Sequence, residues 1–86
     1  MKSRVSRNFR GCFDRLPAGI QKLAVKQYRL WCDNPRHPSL HFKKVQQLWT
    51  VRVSQDYRAT GVLVDDTMVW FWIGTHAEYD KLLKRS

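Results

Sequence analysis

The sequence predicts an α+β domain: an antiparallel sheet of three to four strands packed on an N-terminal helical hairpin, with a short C-terminal helix. Two periodicities carry this. Apolar residues recur at helical spacing from Ile20 to Trp31, then alternate with polar ones at period two from Trp49 to Ser54. The third observation is size. A chain of 86 residues, 43% hydrophobic and 13% aromatic, makes one domain over residues 1–86 with enough aromatic surface to close a core. The same arithmetic excludes a multidomain enzyme, a dinucleotide-binding domain of usual size, a barrel and a disordered chain.

Each element has a local reason. Ser6 can cap a helix from about Arg7 to Leu16. Pro17 breaks it, because the residue before proline resists helical angles, and proline also suits the start of a helix. The second helix runs from Ala18 to Asp33, with Ile20, Leu23, Ala24, Tyr28 and Trp31 forming one apolar stripe and Lys22, Lys26 and Arg29 off it. Asn34-Pro35-Arg36-His37-Pro38 ends it with turn chemistry. Leu40, Phe42 and Lys43-Lys44-Val45 start the sheet. In the next strand Trp49, Val51 and Val53 face one way, and Thr50, Arg52 and Ser54 the other, toward solvent. Gln55-Asp56 and Asp65-Asp66 are turns bracketing a strand from Tyr57 to Val64. Thr67 to Gly74 is apolar on both faces, hence central, with Met68, Trp70 and Trp72 on one face and Val69, Phe71 and Ile73 on the other. Ala77 to Lys84 closes the chain as a short helix with Tyr79, Leu82 and Leu83 inward.

Sixteen Lys and Arg against seven Asp and Glu give a formal charge of +9, which favours an anionic partner. No stretch approaches the ~18 apolar residues of a membrane span, and Met1 to Arg10 lacks the apolar core of a secretory signal. The two cysteines, Cys12 and Cys32, read as buried thiols of a reducing cytoplasm; a bridge between them has little to motivate it. His37 and His41 are four apart, but Pro38 lies between them and no Cys or carboxylate cluster accompanies them, so neither a metal site nor a cofactor is expected.

Several short motifs occur in a fixed order: Leu16-Pro17, Asn34-Pro35-Arg36-His37-Pro38-Ser39-Leu40, Phe42-Lys43-Lys44, Trp49-Thr50-Val51-Arg52-Val53, Asp56-Tyr57-Arg58 and Ile73-Gly74-Thr75-His76-Ala77-Glu78-Tyr79. None is specific alone. Together, over about Ser6 to Leu83, they resemble the RelE/ParE superfamily of bacterial type II toxins. The resemblance implies a small antiparallel sheet on a helical hairpin, with an edge strand over Ser3 to Val5. It also implies a cognate antitoxin as partner and one of two activities. RelE-like members cut ribosome-bound messenger RNA; ParE-like members poison DNA gyrase. A third reading is a degenerate toxin that acts only as a binding module.

Metal-free RNA cleavage requires a base for the 2′-OH, an acid for the departing 5′-oxygen and cationic donors for the phosphorane. By the resemblance, His76 in Gly74-Thr75-His76 matches a catalytic histidine of the YafQ-like branch and is the first choice for acid or base. Arg58 matches a phosphate-binding arginine. Arg52 stands where RelE has a lysine and the YafQ-like branch a histidine. It keeps the charge but cannot serve as a base at neutral pH, which favours electrostatic stabilisation. Asp56 matches a catalytic aspartate, though Asp is also a common turn residue. His37 matches a functional histidine, here in a proline-rich turn. The catalytic aromatic of that branch falls at Asp80, leaving Tyr79 one residue off, as a substitute or a core residue. Lys43 and Lys44 either track phosphates or protect a sheet edge.

Overall fold

In the computed structural model, which describes residues 2–85, the chain runs β1 (Lys2–Val5), α1 (Arg7–Asp14), α2 (Ala18–Asp33), a 3-10 turn (Pro38–Leu40), β2 (Lys43–Val45), β3 (Leu48–Ser54), β4 (Tyr57–Val64), β5 (Thr67–Thr75) and α3 (His76–Arg85). Ser6 caps α1, its hydroxyl accepting from the Phe9 N–H at 3.2 Å. Pro17 opens α2 at φ −55°, and its carbonyl accepts from the N–H groups of Ile20 and Gln21 at 3.0 Å. Asp65 and Asp66 both take left-handed angles, φ 48° and 67°, which makes the two-residue turn whose twist suits a β-hairpin.

The sheet has five strands in the order β1-β5-β4-β3-β2. It is antiparallel except for β1, which lies parallel to β5. The sheet is therefore larger and more mixed than the strand pattern predicts. Four residues are too few for alternation to show, and β1 is held instead by pairing from Lys2 opposite Thr67 to Val5 opposite Trp70, and by a bond between the Ser3 and Tyr28 hydroxyls.

Helices α1 and α2 cover one face of the sheet, α1 against β5 and α2 against β3. Trp31, 2% exposed, packs edge-on to Trp70 at 5.3 Å and to Phe42 at 5.7 Å, above Val51 and Val53. Burial of aromatics of this size is the largest stabilising contribution such a small core has. Leu23 and Tyr28, expected in the stripe of α2, lie at its edge and are 38% and 40% exposed. Cys32 is exposed and Cys12 half-buried, and both are free thiols, so the buried-thiol expectation fails for Cys32. One residue past Trp31 the helix turns about 100° and points the side chain outward. Among the described residues no helix is long and apolar enough to cross a membrane.

Strand β5 departs from simple alternation, and this bears on the opposite face. Thr60 pairs with Trp72 but Gly61 pairs with Trp70, so Phe71 is an extra, unpaired residue. Such a bulge flips every side chain beyond it. Ile73 therefore joins Trp70 on the helix side, and Trp72 moves to the other face, where α3 lies. Gly61 makes the bulge sterically feasible: a Cβ there would stand 2.8 Å from the Val69 carbonyl oxygen and 3.0 Å from the Trp70 ring.

Candidate active site

The face opposite the hairpin is built in cross-strand rows. Thr50, Thr60 and Trp72 form one; Arg52, Arg58 and Gly74 form the next, toward the β3–β4 turn. Directly paired residues share a face, so Arg52 and Arg58 stand side by side. The half-buried Arg58 sends three bonds from Nη1 to the turn carbonyls of Ser54 (2.5 Å), Gln55 (3.2 Å) and Tyr57 (2.9 Å). Nη2 and Nε take no part in these bonds and remain available to an anion. Burial, then the neighbouring Arg52 charge, lowers the Arg58 pKa from its ordinary value, partly offset by Tyr79, Asp56 and Asp80. Two cations held together without an acidic partner between them are a prepared anion site.

Helix α3 starts where β5 ends. Thr75 and Glu78 form a reciprocal cap: the Glu78 N–H donates to the Thr75 hydroxyl oxygen (3.2 Å), while Glu78 Oε1 accepts from the Thr75 N–H (3.0 Å) and hydroxyl (2.9 Å). Those bonds from Thr75 hold the Glu78 carboxyl below its usual range. The His76 N–H donates to the Asp56 carbonyl at 2.7 Å, tying the helix start to the β3–β4 turn. One turn on, the buried Tyr79 hydroxyl meets the Thr50 hydroxyl at 3.0 Å. The His76 ring packs edge-on against the Tyr79 ring at 5.8 Å. Its Nδ1 lies 3.2 Å from Asp80 Oδ2, one turn along α3, which leaves Nε2 as the ring nitrogen for a substrate.

His41 completes the rim. It follows the 3-10 turn in a left-handed conformation, φ 46°, and its Nε2 lies 3.3 Å from Arg52 Nη1. A guanidinium has no acceptor, so Nε2 accepts and the ring carries its proton on Nδ1. His41, Lys43, Arg52, Arg58, His76 and Tyr79 together line a concavity of about 130 Å³ floored by Thr50. Among the described residues no three His, Cys, Asp or Glu side chains gather as metal ligands would.

No family model and no curated protein matches the chain. Solved structures do. The RelB–RelE antitoxin–toxin complex from Methanococcus jannaschii aligns at 13% identity and a TM-score of 0.71 over 91% of this chain and 95% of the other. YafQ from Escherichia coli aligns at 16% and 0.71 over 91% and 96%. The RelBE2 complex from Mycobacterium tuberculosis aligns at 21% and 0.63 over 87% and 96%. The chain has the RelE/ParE-type toxin fold.

On this RelE/ParE-type frame, His76, Arg58, Arg52, Tyr79 and Lys43 converge on one concavity, and the other candidates lie outside it. Arg52 is half-buried rather than simply solvent-facing, because α3 and His41 wall its side of the sheet. Asp56 contributes its carbonyl to the start of α3; its exposed carboxylate is felt by Arg58 but is not part of the lining. His37 caps the 3-10 turn, its Nδ1 accepting from the Ser39 N–H at 3.2 Å. The two lysines separate. Lys43 pairs with Thr50 on the site face, whereas Lys44 pairs with Trp49 and takes the other face. Two contributors escape the sequence reading. Asp80 could be found from its i,i+4 spacing to His76. His41 has the weaker signal of a histidine after a proline-initiated turn, where His tolerates positive φ better than most residues.

Proposed function

We propose that this protein is the toxin of a type II toxin–antitoxin pair and acts as a ribosome-dependent endoribonuclease on messenger RNA. One observation carries the reading: two imidazoles, two guanidiniums and a lysine converge around a small concavity on a RelE/ParE-type sheet. Binding of a phosphodiester across Arg52 and Arg58 would place it between His41 and His76. As Arg52 turns to the phosphate it frees His41 Nε2, and one imidazole takes the 2′-OH proton while the other protonates the 5′-oxygen as the P–O5′ bond breaks. The products are a 2′,3′-cyclic phosphate and a 5′-hydroxyl. Asp80 orients the His76 ring through Nδ1; Arg52, Arg58 and Lys43 stabilise the charge on the phosphorane. Tyr79 positions His76 by ring packing, and the +9 charge supplies affinity for ribosomal and messenger RNA.

The partner that would silence it is a cognate antitoxin, by likeness to the RelB–RelE complexes, and its setting would be the cytoplasm. Primer extension on a messenger in a purified translation system tests the activity. New 3′ ends that require both toxin and ribosomes are expected. Intact messenger in every lane, with gyrase-linked DNA breaks on expression, would overturn it in favour of a gyrase poison.

A further inference from the structure

Beyond the Arg52–His41 pair, on the side away from His76, the surface falls into a second and more open groove of about 400 Å³. Arg52 and His41 line both concavities, so they form a shared wall between them. Lys26 of α2 also lines the groove. The rest of the lining includes the side chains of Gln27, Gln55 and Ser39 and the aliphatic Leu23 and Val53.

We infer that this groove is a subsite for the nucleotide next to the scissile phosphate, with Lys26 holding the neighbouring phosphate. The inference rests on the nuclease reading and adds the path of the RNA. The chemistry of the groove fits a nucleotide in each part. Lys26 supplies a point charge for a phosphate, as a mobile ammonium does without selecting a base. The Gln27 Nε2 donates to the Arg52 carbonyl at 3.0 Å, which fixes the side chain and leaves its Oε1 free to accept from a base edge. The Gln55 amide makes no hydrogen bond among the described residues and can donate or accept. Leu23, 38% exposed, offers an apolar surface to a base or ribose face. No acidic residue lines the groove, so nothing in it repels a polyanion. Its continuity with the arginine pair favours RNA over an acidic protein segment, since one strand can occupy both concavities without leaving the protein surface.

Lys26 touches no reacting atom in this arrangement, so it should affect binding and not the chemical step. The test uses the whole chain and fluorescence anisotropy with 2′-O-methyl RNA, which cannot be cleaved by 2′-OH attack. A labelled trinucleotide spans both concavities; a labelled mononucleotide 3′-phosphate reaches only the arginine pair. Lys26→Gln should weaken trinucleotide binding about fivefold near 50 mM salt and reduce the slope of log K against log salt by about 0.7. Mononucleotide binding should be unchanged, as should both ligands with Lys22→Gln, a lysine on the same helix outside the groove. In the translation assay Lys26→Gln should raise the toxin concentration needed for half-maximal cleavage and leave the rate at saturation intact.

Equal losses for Lys22→Gln and Lys26→Gln would show a diffuse basic surface and overturn the subsite. So would an acidic peptide that binds as tightly as the trinucleotide and loses the same factor on Lys26→Gln. Binding as expected with no cleavage of any messenger would retain the subsite while removing the nuclease reading.

Discussion

Arg52→Met should make the protein more stable and less active. Arg52 and Arg58 are direct cross-strand neighbours on β3 and β4, and like charges in that relation cost about 0.2–1 kcal/mol. Partial burial of Arg58 weakens solvent screening and places the pair near the upper end of that range. Methionine keeps an unbranched apolar stem, so the packing of the side chain is largely preserved. The bond from Arg52 to His41 is lost, at a cost of about 0.5 kcal/mol. The balance is a gain of about 0.5 kcal/mol, which for a domain of this size raises Tm by about 2–4 °C. Thermal melts in low-salt buffer measure it. In 1 M salt, where the Debye length is about 3 Å, the gain should shrink. Cleavage should fall by about a hundredfold, the usual effect of removing one donor to transition-state charge. A variant that melts below wild type at low salt, or a Tm gain insensitive to salt, would refute the claim that the site holds two repelling cations for the sake of binding an anion.

Two further outcomes follow from the same geometry. Glu78→Ala removes half of the reciprocal cap on α3 and should cost about 0.5 kcal/mol at neutral pH. The folded-state pKa of Glu78 is lowered, so its contribution is present above the ordinary carboxyl value of 4.5 and fades as pH falls through the lower folded value. Denaturant melts of the two proteins should converge on acidification, and a difference that grew instead would contradict the cap. Gly61→Ala forces a Cβ to within 2.8 Å of the Val69 carbonyl oxygen and should cost about 1–3 kcal/mol by equilibrium unfolding, with wild-type stability speaking against the bulge at Phe71.

Long periodic segments and their punctuation were legible in the sequence. Ala18–Asp33 is the helix its apolar spacing predicts, and the β3–β4–β5 hairpins follow from alternation and two turns. Less legible was anything set by pairing between strands. The bulge at Phe71 depends on how close Gly61 lets β5 approach, and it moves Trp72 to the opposite face from Trp70. Strand β1 has no periodicity of its own and exists because β5 offers it an edge. At the site, His76 and Arg58 were found through the resemblance, but their meeting depends on Gly74 standing opposite Arg58 and on the His76 N–H bonding the Asp56 carbonyl. The sequence shows His41 only as a poor metal-ligand spacing to His37, because its place at the site depends on a left-handed backbone and on Arg52 lying eleven residues further along the chain.

The central claim is that the imidazoles and guanidiniums on this face promote attack by a ribose 2′-OH. The most direct measurement is cleavage, on programmed ribosomes, of a messenger carrying a single 2′-deoxy nucleotide at the mapped cut site, compared with its all-ribose twin. The account predicts a 2′,3′-cyclic phosphate end on the all-ribose product, no cut at the substituted position, and loss of cleavage with His76→Ala in a folded protein. Cleavage of the 2′-deoxy messenger at the same position and rate would contradict it.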